Sequence, residues 1–178
     1  MDAKQRCFRS LLMIWAKRIP GSLTMTTTIT IDYSIKPTTI RADRKTFDLR
    51  SLDEKGLRRI GKGRLFVIDN KKRCFFTVDS QVLDYANQLV GVVSQFERGN
   101  HETFAVSPDY YSNNLSFKYD PQAKQMEVYE VNGGNFRLQF PYKPFKEVLK
   151  KFYAELLNDF LEYYPELEEN HAFQRLRT

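Results

Sequence analysis

Apolar and polar residues alternate over residues 29–36. Ile29, Ile31, Tyr33 and Ile35 fall on one side, and Thr30, Asp32, Ser34 and Lys36 on the other. A period of two with β-branched residues predicts a half-buried strand, stopped by Pro37. Residues 38–50 show no clean period, and a short strand is expected near 46–50. Ser51-Leu52-Asp53-Glu54 has capping-box spacing, with Gly56 and Gly61 leaving room for a turn or two of helix. Two strand-like runs, 64–69 and 73–79, flank Asn70-Lys71-Lys72 and predict a hairpin. Ser80 is the expected N-cap of a helix whose apolar face is Val82, Tyr85, Ala86, Leu89, Val93 and Phe96, ended by Gly99-Asn100.

A second β region follows. Residues 102–106 form a short strand, and 115–120, 125–131 and 135–140 form a meander with a hairpin turn at Asn132-Gly133-Gly134-Asn135. Pro144 sits in the first turn of a helix striped by Phe145, Val148, Leu149, Phe152, Leu156 and Phe160. The tail after Pro165 reads as polar. The order of strands, helix, strands and helix predicts an α+β fold. An antiparallel sheet, made of a hairpin and a three-stranded meander, packs against two amphipathic helices.

Composition changes this picture little. The chain has 178 residues, 42% hydrophobic and 14% aromatic, enough to bury a core of globular size. Two cysteines exclude a disulfide framework and a four-thiolate zinc site. Charge changes it more. The net charge of +6 is polarised: residues 1–24 carry +4, residues 55–73 carry +7, and the remainder is acidic. Residues 1–24 hold only a short apolar run, Leu11-Leu12-Met13-Ile14-Trp15, between basic flanks. That run is too short for a membrane span and for the apolar core of a signal peptide. Met25 opens directly into the first strand. Residues 1–24 are therefore expected to be a disordered or mis-annotated extension, and 25–178 a single α+β domain. The expected location is the cytoplasm.

The catalytic inventory is thin. His101 sits in a loop and His171 in the tail, with no His pair at metal-ligand spacing and no Gly-x-Ser-x-Gly elbow. Gly61-Lys62-Gly63-Arg64 is followed by a strand, where a phosphate-binding loop would open a helix. No enzyme, no metal and no cofactor is expected. Two surfaces stand out instead. The basic segment offers Arg58, Arg59, Lys62, Arg64, Lys71, Lys72 and Arg73 as an anion-facing surface. The acidic C-terminal stretch offers Glu162, Glu166, Glu168 and Glu169 as a surface that could steer a basic partner.

One layout resembles a known group. A strand pair leads to a helix ending Gln95-Phe96-Glu97-Arg98-Gly99. Ser107-Pro108-Asp109-Tyr110, Leu115-Ser116-Phe117, a Gly-containing hairpin and a terminal helix follow. Over roughly residues 63–164 this resembles small bacterial immunity proteins of the WapI type. The tryptophans common in that group are missing from the matched region, since the only one is Trp15. The resemblance implies a non-enzymatic protein that binds and neutralises a cognate toxin, and it carries no site residue over. A protein-binding module is thus the leading expectation. A nucleic-acid or anion-binding module using the 55–73 segment is the alternative.

Overall fold

The computed structural model describes residues 29–69, 74–107, 115–131 and 136–177. The predicted extension 1–24, the basic turn residues Lys71, Lys72 and Arg73, and the 132–135 hairpin turn lie outside these residues.

Strand β1 (Ile29–Ile35) pairs with β2 (Lys62–Asp69), which pairs with β3 (Cys74–Gln81), all antiparallel. The register sets Ile31 opposite Val67 and Val67 opposite Phe76. Tyr33 lies opposite Leu65, and Leu65 opposite Val78. These positions share one face by the two-residue period, and Leu65, Val67, Phe76 and Val78 are buried. A second antiparallel sheet has the order β4 (Phe104–Val106), β5 (Leu115–Asp120), β6 (Gln125–Glu130), β7 (Arg137–Pro141). Here Phe117, Val128 and Leu138 line up across three strands and face the core. The fold is α+β, with the expected hairpin and meander each gaining a strand.

Helix α3 (Val82–Glu97) and helix α4 (Tyr142–Tyr163) carry the apolar stripes read from the sequence. Leu83, Tyr85, Ala86, Leu89 and Phe96 are buried on α3, as are Phe145, Leu149, Phe152, Leu156 and Phe160 on α4. The buried side chains of both sheets and both helices form one contiguous cluster. Helix α3 ends as expected, with Gly99 in the left-handed region at φ 82°. Its start differs. Strand β3 runs on through Gln81, Ser80 is buried and donates to the Gln81 carbonyl, and the Gly61 carbonyl accepts from Val82 N at 3.1 Å. A backbone carbonyl thus meets a first-turn donor that a side-chain cap was expected to serve.

Two further segments depart from the sequence reading. Residues 37–46 form helix α1 (Pro37–Thr46) rather than an irregular stretch leading to a strand. Pro37 stands at its N-terminus, where no N–H is missed. Its inward positions are Ile40, Asp43 and Phe47, spaced three and four apart, and the most buried of them is the carboxylate. Hydrophobic periodicity is blind to a helix whose central core position is charged. Next comes the single turn α2 (Glu54–Leu57). Its N-cap is Asp53, which accepts from Gly56 N at 2.7 Å, while Ser51 bonds to Asp48. The expected polar tail is likewise ordered. A 3-10 turn (Pro165–Glu169) and helix α5 (His171–Leu176) bury Leu167 and Phe173 completely.

The tail closes on the α1–α2 region through buried polar bonds. Tyr164 donates to Asp43 Oδ2 at 2.7 Å, and Gly61 N donates to the same oxygen at 2.9 Å. Gly61 holds φ 70°, and a Cβ there would come 2.5 Å from the Phe160 ring. Asn170 donates to the carbonyls of Leu49, Arg50 and Leu52, while its Oδ1 caps α5 at Phe173 N.

Candidate functional site

Of the basic candidates, Lys62 and Arg64 lie on β2 and Arg58 and Arg59 in the turn before it, while Lys71, Lys72 and Arg73 lie outside the described residues. Arg64 faces outward and makes a two-pronged bond across the sheet to Asp79, with Nε at 2.8 Å and Nη2 at 3.1 Å. That bond holds the Asp79 carboxyl below its ordinary range, helped by Lys36 and Lys62 nearby. Arg58 reaches Asp84 on α3 at 3.6 Å, and the Arg59 guanidinium lies 5.4 Å from the centre of the Phe47 ring.

Further positive charge lies upstream. Residues 36–64 hold ten Lys and Arg against four Asp and Glu, a net of +6. Arg41, Arg44 and Lys45 share the exposed side of α1 at i, i+3 and i+4. The charge was countable in the sequence. Its grouping was not, because residues 38–50 were not recognised as a helix.

The acidic candidates divide. Glu166 Oε1 accepts from Arg44 Nη2 at 2.7 Å and Nε at 3.2 Å. Its own backbone N–H and Arg44 hold its carboxyl below the usual range. Glu169 pairs with Arg50 at 3.3 Å. Glu162 is exposed on α4. Glu168 is exposed, and its backbone carbonyl accepts from Gln174 at 2.8 Å. Two of the acidic candidates thus pair with Arg44 and Arg50, which lie outside the expected 55–73 basic segment. Between them lies a shallow cleft of about 230 Å³, lined by Arg44, Phe47, Asp48, Leu49, Arg50 and Glu166. The cleft was not legible from sequence, because Glu166 reaches it from 116 or more residues away.

A second feature is aromatic. The Tyr119 and Tyr142 rings stand 4.5 Å apart, and both lie against the buried Phe96 ring. Phe104 meets Phe96 edge-on, and exposed His101 meets Tyr119 edge-on at 5.4 Å. Tyr119, Tyr142 and Phe104 are half-buried and form a rim where the core reaches the surface. Burial pushes the Tyr142 hydroxyl up.

Elsewhere, Tyr33 donates to Asp159 of α4 at 2.7 Å, and neighbouring Asp32 is raised mainly by burial. Among the described residues, no group of three His, Cys, Asp or Glu could hold a metal ion. No described helix is long and apolar enough to cross a membrane. No family model matches the chain, and neither a curated protein nor a solved structure matches it.

Proposed function

We propose that this chain is a non-catalytic binding module for one protein partner in the cytoplasm, acting as an immunity protein toward a cognate bacterial toxin. The observation that supports this reading is the aromatic rim of His101, Phe104, Tyr119 and Tyr142. Aromatic side chains with one face in a core and one edge at the surface are pre-organised anchors, and such residues dominate binding hot spots. The exposed Glu162, Glu168 and Glu169 offer acidic positions for a basic toxin. The test is calorimetric titration against the product of a neighbouring gene. A complex weakened by His101→Ala, at an unchanged melting temperature, supports the reading. Failure of that product to bind removes it.

A nucleic-acid or anion-binding module is the second reading, favoured by the net +6 of residues 36–64. Binding of a single-stranded oligonucleotide should then fall steeply with salt, because neutralised phosphates release counterions. No binding at low salt removes this option.

A further inference from the structure

We infer that the cleft between the end of α1 and the 3-10 turn is a subsite for the phosphate backbone of a single-stranded nucleic acid, and that Glu166 and Glu169 hold its arginines when no strand is bound. The inference rests on the anion-binding reading and places its site away from the β2–β3 hairpin.

Three observations converge there. The first is how the arginines are engaged. Arg44 and Arg50 line the cleft, and each meets a carboxylate of the same 3-10 turn, at 2.7 and 3.3 Å. Arginine donates to phosphate oxygens as it does to carboxylates, so the two glutamates stand where phosphates would sit. The second is a stacking surface. Phe47 lines the cleft, and Arg59 lies over its ring. An aromatic face beside guanidinium planes suits unpaired bases, and an acidic peptide would not need it. The third is a track. Arg41 and Lys45 continue the positive charge along α1 on both sides of Arg44.

Displacement is easiest at the Arg50–Glu169 pair, which is 62% and 66% exposed; Arg44 is 47% exposed, and Glu166 is 30% exposed with its Oε2 buried. Ion pairs in such surroundings hold weakly and are screened by salt. A flexible polyanion that gains several contacts together can compete with them.

The test measures binding of a fluorescent fifteen-residue oligo(dT) to the full chain by anisotropy across a salt series. Glu166→Gln with Glu169→Gln should tighten binding roughly tenfold. The log–log salt slope should steepen by about 1.4, at about 0.7 for each released cation. Glu169→Gln alone, at an exposed position, gives half of that steepening and serves if the double variant melts early. Adding Phe47→Leu should remove much of the gain, and polyglutamate should show none. Unchanged affinity and slope in a folded Glu169→Gln variant overturns the inference, as does an equal gain for polyglutamate. If the parent chain binds and only Lys62 and Arg64 substitutions weaken it, the anion-binding reading stands and this site fails. If nothing binds at low salt, both fail.

Discussion

The hydroxyl of Tyr164 donates to Oδ2 of Asp43 at 2.7 Å, joining the end of α4 to a helix 121 residues upstream. Tyr164 is fully buried and Asp43 nearly so. With Gly61 N on the same oxygen, the carboxylate has two donors in a site with little water. Tyr164→Phe removes one donor and leaves the charge in place. Urea unfolding should show a loss of about 1–3 kcal/mol, the usual cost of an unsatisfied buried group.

Asn170 makes a second such joint and offers a sharper test. Its amide donates to three carbonyls, so Asn170→Asp sets a carboxylate against three acceptors at nearly unchanged volume. Asn170→Asp should cost more than Asn170→Ala, which itself loses about 2–3 kcal/mol. Equal melting temperatures for the two variants would contradict that order.

Tyr85 presents the opposite case. Among the described residues its buried hydroxyl has no hydrogen-bond partner, and burial pushes its ionisation up. Tyr85→Phe removes a desolvated group and little packing. The variant should match the parent or gain up to about 1 kcal/mol in urea unfolding.

Asp32 gives a pH dependence with a definite sign. Burial, with Asp159 nearby, raises its carboxyl above the ordinary value of 3.8, although its bond from Tyr33 N opposes the rise. The folded state therefore holds the proton more tightly than the unfolded chain. This contribution to stability is full below pH 3.8 and is lost as pH rises through the folded value. Asp32→Asn keeps an oxygen for Tyr33 N and should raise the melting temperature at pH 7 but not at pH 3.

Tyr33 and Tyr164 act at the alkaline end. Burial raises both hydroxyls, and hydrogen bonds to Asp159 and Asp43 raise them further. The unfolded chain ionises them near pH 10 and the folded chain does not. Stability should fall above pH 10 by about 1.4 kcal/mol per pH unit for each. Absorbance of tyrosinate should rise together with unfolding rather than before it. A full tyrosinate signal from a folded chain would contradict this.

The parts of the fold that were legible in the sequence are those where periodicity and burial agree. Leu115, Phe117, Met126, Val128, Leu138 and Phe140 alternate and are buried, so the meander could be read directly. The α3 and α4 stripes were legible for the same reason. Helix α1 was not, because Asp43 occupies its core position and is tolerated only through Tyr164 and Gly61. The tail was not, because Leu167 and Phe173 are isolated in sequence and are buried by partners far upstream. The cleft inherits both difficulties. One wall is the unrecognised helix and the other is the tail read as polar.

The long reach of these bonds bears on how the chain is made. Asp43 emerges from the ribosome 121 residues before Tyr164, and the Leu49 carbonyl 121 residues before Asn170. At bacterial or eukaryotic elongation speeds, roughly 5–20 residues per second, that is a wait of about 6–24 s. During that interval the α1–α2 segment has its charge but not its partners. A nascent chain stalled before Tyr164 should expose this region to protease while the β2–β3 hairpin and α3 are already complete in sequence. Residues 164–173 are therefore a completion signal for the α1–α2 region, delivered only after α4 has been made.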